Sequence, residues 1–557
     1  MVNPTFTIKG DVNLELNLNE KTVFPLLKTT KHTKKIADLA LENILMPFPN
    51  MGTVKFTKDF DWEYIHDTSP QSFQMYLQNL RLVSELLNQY RIDPKIDYIF
   101  KGKEIIESWF DYAEAGNQTN LTWYDHSLGS RTQTILEFIY LCKETHIKLD
   151  IDRYINMLIK HAELLFDDTK HGINNHGLMM DKALIEIGLV TNNEIYYMKG
   201  FERAKSIFWL TYSDKGVHLE NSPEYHRMVY LLYKNLEDYL NKNDRSLGKE
   251  IIDRFVLIEK YMTIILKPDR RFPPIGDSSH SFADQNIKLS WDSFNDQSAG
   301  ITVIKNKHNQ FYLAFICGFS TLTHKHSDNL SFILNSNTKD FFVDAGKFNY
   351  SKSKYRKYVV NKHAHSVFTN NKKSTTHTEN LKKNRTERYI YTDKYVDTDL
   401  YTMVSGYNSA VEGSFLRRTI YYLPKENIIL GFDTGQSDEE VLWEQRFNLS
   451  EKVNIEVIGD KYLLINGEEQ ISLSFNNEEA NPTIVESNSK SKWPKALNSP
   501  VSSKVVPTKQ IVNKLEGVKT FNQSFNVFLS KNYDVNIIDK ETHYDVTVDN
   551  NFYQLPK

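Results

Sequence analysis

The sequence predicts a multidomain α+β protein in which a helical half precedes an antiparallel β half, and three observations predict it. Apolar residues between about 70 and 270 recur at helical steps, a Pro/Gly/Ser-rich break (KPDRRFPPIGDSS) follows near 268–279, and beyond it the apolar period is two. At 557 residues the chain also exceeds a single hydrophobic core, so at least two domains are expected.

In the first half, Phe73, Tyr76, Leu77, Leu80, Val83 and Leu87 open the helical pattern. RYINMLIKHAELLF from Arg153, GLMMDKALIEIG from Gly177, PEYHRMVYLLYKNLEDYL from Pro223 and EIIDRFVLIEKYMTIIL from Glu250 continue it. Pro223 suits a first helical position, where no amide donor is needed. Short polar links between these segments predict antiparallel helical pairs. In the second half FYLAFICG, FFVDAG, RTIYYLPKENIILGFDT, KYLLINGEEQISLSF and HYDVTVDNNFYQL read as strands joined by turns such as 424–427. Antiparallel sheets of this kind bury apolar faces against one another. The basic run NKKSTTHTENLKKNR (371–385) is expected in an exposed loop.

Charge is balanced, with 68 basic against 71 acidic residues and 17 histidines. No general basic field exists to neutralise phosphates, so a nucleic-acid partner is not expected. The 31 Tyr, 32 Phe and 7 Trp suit either a large core or a carbohydrate groove. Cys142 and Cys317 each lie in an apolar run and read as buried free thiols, not as a disulfide framework. The first residues lack the charged-then-apolar pattern of a signal peptide, and no run of 18 apolar residues is present to span a membrane. As written, the chain is expected in the cytoplasm, or in the periplasm or outside the cell where a signal has been removed. Monomer and homodimer both remain open.

Polar residues interrupt the apolar pattern in short clusters. LTWYDHSLGSRT carries Trp123, Asp125, His126 and Arg131; HGINNHG carries Asn174, Asn175 and His176; VHLENSPEYHRM carries Glu220, Tyr225 and His226. The β half adds HKHSD (His324, His326, Asp328), FVDAGKF (Asp344) and RKYVVNKHAHSVF (His363, His365). Taken singly, each has a bland reading: an Asn pair before a helix caps it, and a Tyr at a helix start packs with its hydroxyl satisfied. His324 and His326, two apart at the mouth of a strand, are expected to project to one face. His and Asp are zinc ligands, but spacing alone does not separate a metal site from a surface histidine cluster.

In order and spacing, W-Y-D-H with Arg131, N-N-H-G, E-N-S-P-E-Y-H, H-K-H-S-D, D-A-G and A-H-S resemble the heparinase II/III-like family of polysaccharide lyases, from about residue 60 to 510. The resemblance implies an incomplete (α/α) toroid at 61–285, preceded by an extension (1–60) packed on it, and an antiparallel β-sandwich domain at 286–557. It implies cleavage of a uronic-acid-containing polysaccharide by β-elimination, leaving unsaturated uronate ends. The partner would be an anionic polysaccharide or oligosaccharide, either a glycosaminoglycan such as heparin or heparan sulfate or a bacterial exopolysaccharide. Asn175 and His176 would hold the uronate carboxyl group, and Tyr225 and His324 would be the catalytic acid and base. Trp123, Asp125, His126, Arg131 and Glu220 would line the sugar groove. His326, Asp344 and His365 would hold a structural Zn2+.

That chemistry has a physical logic. The proton on carbon 5 of a uronate is a very weak acid while the carboxylate stays charged, so hydrogen bonds to the carboxylate must stabilise the enolate-like charge. A Tyr and a His can then move protons from carbon 5 and to the departing 4-oxygen. Which residue does which depends on the face of the ring, and in a syn geometry Tyr225 could serve both steps. A metal near His324 would fix its loop without touching substrate, and Asp328 is either a partner orienting a histidine or an acid facing water. The sequence departs from the family pattern at Ser366 after His365, where Asn is common, and at Asn448, where many relatives carry His; His363 is a rival ligand. Of the adjacent Arg417 and Arg418, the alternation with Ile420 favours Arg418 for the sugar carboxylates. The alternative to a lyase is a carbohydrate-binding or assembly protein of exopolysaccharide or capsule biosynthesis that keeps the fold without the chemistry. Hydrolysis by Asp125 and Glu220 is weaker, since no spacing pairs them.

Overall fold

The computed structural model describes residues 16–67, 69–372, 390–476 and 481–557. The chain divides into two compact units, one of residues up to Thr211 with Leu231–Ile252, the other of Tyr212–Tyr230 with Asp253–Lys557. The basic run lies outside the described residues from 373 onward.

The first unit is helical. Its elements include α1 (Thr33–Leu41), α2 (Pro70–Gln78), α3 (Arg81–Ile92), α4 (Asp97–Glu114), α5 (Asp125–Glu144), α6 (Ile151–Phe166), α7 (Asn175–Val190) and α8 (Glu194–Thr211). The helical period reads straight through Leu80, but the chain does not: Leu80 has φ 55° and separates α2 from α3. The apolar faces of the helices meet in one core containing Trp62, Leu86, Trp109, Leu136 and Leu184. α7 and α8 touch backbone to backbone, since a Cβ on Gly188 would lie 2.4 Å from the Tyr197 nitrogen and one on Gly200 2.7 Å from the Asp181 carbonyl oxygen. Buried Gln78 ties the end of α2 to this core, donating to the Trp62 carbonyl at 2.8 Å and accepting from the Trp109 indole at 2.9 Å. Two further helices, α9 (Pro223–Lys242) and α10 (Lys249–Ile265), each run from one unit into the other, with Pro223 at the first position of α9 as the sequence predicts.

The second unit is mostly antiparallel β. Five strands, Phe294–Asp296, Ile301–Asn306, Phe311–Ile316, Ser331–Ser336 and Lys339–Phe342, form a sheet in sequence order. A ten-stranded sheet is centred on the long strands Ile428–Asn448 and Lys509–Phe528. Phe315, Phe332 and Phe342 of the smaller sheet pack with Ile420, Trp443, Phe447 and Phe525 of the larger, the face-to-face burial that period-two strands require. The other face of the five-stranded sheet packs on Tyr261, Ile264, Phe272 and Ile275. Leu423 pairs with Ile428 across the predicted turn, where Asn427 takes φ 54°. Cys142 and Cys317 are buried free thiols. Among the described residues no helix is long and apolar enough to cross a membrane.

Candidate active site

In the first unit the two polar clusters lie at helix entrances. Asn174 caps α7, accepting from the amides of His176 at 2.9 Å and Gly177 at 3.0 Å. The capping role expected of an Asn pair thus falls on Asn174, and the half-buried Asn175 carboxamide makes no hydrogen bond among the described residues. His176 Nδ1 lies 3.2 Å from the Asp125 carboxylate and 3.3 Å from the Tyr124 hydroxyl, and its ring stands edge-on to His126 with centroids 5.4 Å apart. Burial, with His176 alongside, pulls the His126 pKa down to about 4, so this imidazole is neutral near pH 7. Trp123 is partly exposed, with the Lys160 ammonium 4.2 Å and the Arg131 guanidinium 5.2 Å from its ring centroid.

Arg131 itself is fully buried. It lies 4.0 Å from the Trp109 ring, donates to the Gln78 carbonyl at 2.6 Å and to His161 at 3.2 Å, and burial lowers its pKa to about 9. It positions Trp123 from behind and presents no charge to a groove.

In the second unit Tyr225 stacks on His324, the ring centroids 3.6 Å apart and the planes 22° from parallel. Ser222 accepts from the Tyr225 amide at 3.3 Å and meets the Ser278 hydroxyl at 2.8 Å, which fixes the first turn of α9. His226, the next residue along, has a structural job: Nδ1 accepts from the His218 amide at 3.1 Å and Nε2 donates to the Ile258 carbonyl at 3.3 Å. Buried Glu220 brings a carboxylate oxygen to 3.6 Å from His324 Nε2.

Asp277 organises this cluster. One carboxylate oxygen meets His324 Nδ1 at 2.9 Å, the other meets His326 Nε2 at 3.0 Å, and Arg356 grips both. Burial by itself would raise the Asp277 carboxyl; hydrogen bonds from His324, His326 and Arg356 outweigh it and hold the group far below the usual carboxylate range. Beside a carboxylate the Nδ1 position of His324 carries the proton, which leaves the lone pair on Nε2. Gly276 makes this approach possible: at φ 55°, a Cβ there would lie 2.4 Å from the Asn221 carbonyl oxygen and 2.7 Å from that of His324.

His324 and His326 are not on a strand, which corrects the expectation from their spacing. The strand begins at Ser331, His324 has φ 58°, and the Ser327 amide bonds to the Val360 carbonyl at 3.0 Å. The pleat therefore does not operate here. The two histidines converge because they share the Asp277 carboxylate.

His326, Asp344 and His365 are all buried, and one ligand atom from each lies within 4.8 Å of the others. His326 Nδ1 and His365 Nε2 are buried without hydrogen-bond partners, while the second nitrogen of each ring is held, by Asp277 and by Asp344 at 2.9 Å. Two oriented imidazoles with free lone pairs and a carboxylate are a donor set that fits zinc. His363 lies outside the group, its half-exposed ring 3.8 Å from Glu444. Asp328 is buried and paired with Lys325. Asn448 is a buried junction donating to the Val343 carbonyl at 3.0 Å and to Asn498 at 2.9 Å, and its amide donates to the Ser366 hydroxyl at 3.0 Å, which accounts for both departures as one hydrogen-bonded unit. A second acidic and histidine group, Asp269, His280 and Asp340, already holds a cation, the Lys267 ammonium, 2.6 Å from Asp340.

Arg418 does not reach a groove. The alternation puts it on the Ile420 face as argued, but that face is the sandwich core, where Arg418 is fully buried and bidentate on Asp433 at 2.7 Å. Sequence reasoning missed Asp277, Tyr350 and Arg356. Asp277 sits in the Gly-Asp-Ser-Ser end of a break read as a linker, and the other two follow Asp344 in a segment without periodicity.

A helical unit, an antiparallel sandwich and a Tyr/His pair beside a His2Asp cage define a class of protein already recognisable by its architecture. Residues 289–526 match the model of the Heparinase II/III-like, C-terminal family. The chain shares its fold with heparinase III, at 14% identity and a TM-score of 0.77, over 95% of this chain and 91% of that one. It shares it also with a heparan sulfate lyase from Pedobacter heparinus, at 15% identity and TM-score 0.67, over 96% and 91%. A chondroitinase AC lyase aligns at 10% identity and TM-score 0.54, over 94% and 86%. The fold is thus the toroid and β-sandwich of heparinase III. No curated protein sequence matches the chain.

Proposed function

We propose that the protein is a polysaccharide lyase that cleaves a uronic-acid-containing chain by β-elimination. The observation that carries the reading is the stacked Tyr225–His324 pair, with His324 held through Nδ1 by Asp277 so that Nε2 keeps its lone pair. His324 Nε2 takes the proton from carbon 5. Tyr225, whose pKa burial pushes up to about 12, keeps its O–H through the neutral range and delivers a proton to the departing 4-oxygen. Asn175, with an uncommitted carboxamide, and His176, beside Asp125, are the groups of the helical unit suited to hydrogen-bond a uronate carboxylate.

His326, Asp344 and His365 hold a structural zinc ion in this reading, and bound there the ion supplies rigidity and fixed charge. His326 in turn shares Asp277 with His324, so the cage and the base are oriented by one carboxylate.

Heparan sulfate, chondroitin, hyaluronan and alginate form the test panel, because elimination creates a conjugated double bond that absorbs near the ultraviolet edge. Unsaturated product from one or more of them is expected. Tyr225→Phe and His324→Ala are each expected to lower turnover by about 100-fold or more with sugar binding retained. Sugar binding without product in the parent protein, unchanged by either substitution, supports a binding protein instead.

A further inference from the structure

The second unit carries a face whose charge is one-sided. Between Asp344 and Glu379, and again between Glu486 and Glu516, the sequence contains no acidic residue, although the whole chain is nearly neutral. The structure brings the two stretches together. The Ser503 amide donates to the Phe348 carbonyl at 2.8 Å, and the Asn349 carboxamide donates to the Ser503 hydroxyl at 2.9 Å. The Lys354 ammonium donates to the carbonyls of Lys490 and Ser491 at 3.2 and 3.1 Å. Beneath them Phe348, Tyr358, Val359 and Leu497 form a buried cluster, so the short helix Lys354–Val359 and the loop after Asn488 share one base. Tyr350 joins this face to the candidate active site, its hydroxyl 2.9 Å from that of Tyr225.

Three bases of these stretches have counter-ions: Lys347 meets Glu224, Arg356 meets Asp277 and Lys509 meets Glu486. Lys352, Lys357, Lys490, Lys492 and Lys495 are exposed, and among the described residues none of the five is ion-paired. Like charges gathered on one surface repel one another and favour an anion from outside. Trp493 stands among them, 68% exposed, in a loop closed by paired Asn488 and Lys495 backbones. The Asn488 side chain accepts from the Ser491 amide at 3.1 Å and the Ser491 hydroxyl from the Trp493 amide at 3.2 Å, so local hydrogen bonds hold the indole out into water. A large apolar ring rimmed by ammonium groups suits a ligand that is apolar on one face and anionic at its edges. A sugar ring bearing sulfate and carboxylate groups is such a ligand.

We propose that Trp493 and these lysines form an outlying binding surface for a sulfated, uronate-containing polysaccharide, which holds the chain at a distance from the bond to be cleaved. The place of that bond rests on the lyase reading above. The indole takes the apolar side of one sugar ring, and the lysines take the anionic groups that flank it. Ammonium groups on flexible stems suit anions whose positions vary along a chain, where a guanidinium fork demands one geometry. A chain with a single carboxylate per repeat leaves most of the lysines unmatched, so the surface favours a densely charged polymer. Binding at a distance adds equally to the ground and transition states, so it acts on KM and not on kcat.

Trp493→Ala and the double substitution Lys490→Gln with Lys492→Gln change exposed side chains that support no element, so the thermal midpoint should match the parent. Binding to heparan sulfate is measured in a Tyr225→Phe background, which keeps the ring and spares the chain from cleavage. Each change should weaken Kd by about tenfold, and the lysine pair should also flatten its dependence on salt. Hyaluronan, which has carboxylates but no sulfate, should bind more weakly and respond by no more than about twofold. With Tyr225 restored, KM for long heparan sulfate should rise by about tenfold, while kcat, and KM for a tetrasaccharide, stay within about twofold. Variants with the parent's Kd and salt dependence overturn the surface. Single-stranded DNA of matched charge that binds as tightly, and is lost as readily in the same variants, overturns the assignment to a sugar. A parent that yields no unsaturated product from the panel, while these variants lose heparan sulfate, overturns the lyase reading and supports the surface; an active parent with indifferent variants overturns the surface alone.

Discussion

Asp277 is the residue on which the second unit's cluster turns, because one buried carboxylate satisfies His324, His326 and Arg356 together. Asp277→Asn keeps the shape and removes the charge, leaving a partly buried guanidinium without its counter-ion. The expected outcome is a loss of about 3 kcal/mol in stability, measured by denaturant titration, and a fall in kcat of about 100-fold. The residue types of the site were legible in the sequence, since Tyr225, His324, His326, Asp344 and His365 interrupt apolar patterns. Their shared partner was not, because an acid in a Gly/Ser-rich turn looks the same whether it faces water or two histidines. Arg418 shows the converse: strand alternation names the face of a side chain but not whether that face is core or surface, and here it is core.

Two neighbouring asparagines separate the structural job of an element from its chemical one. Asn174 accepts two amide hydrogen bonds at the start of α7, so Asn174→Ala should cost about 1 kcal/mol, read as a lower thermal midpoint. Asn175→Ala should leave the midpoint in place and lower kcat, because its carboxamide supports no element. The three segments that carry His326, Asp344 and His365 come from separate loops, and the proposed zinc ion ties them together. Metal analysis should find one zinc per chain, and a chelator should lower the thermal midpoint of the parent but not of His365→Ala. Helices and strands were predictable at this scale wherever the apolar period was sustained. The misses fall where a single residue leaves that period, at Leu80 between α2 and α3 and at His324, both with positive φ that side-chain patterning does not register.

Across the whole molecule, the change from a period of 3.6 to a period of two near residue 270 marks the passage from helices to sheets, because it is averaged over hundreds of residues. The ordered set of motifs adds a resemblance to a family whose model matches residues 289–526, and the heparinase III fold extends over nearly all of the chain. Neither signal specifies the sugar, since that depends on the few side chains that meet it. The most direct test of the central claim is the absorbance of the conjugated uronate formed when the zinc-replete protein digests the polysaccharide panel, with His324→Ala alongside. The account predicts absorbance that rises with time on at least one uronate-containing substrate and is abolished by the substitution. A flat trace on every substrate, or a rising one that His324→Ala leaves intact, would contradict it.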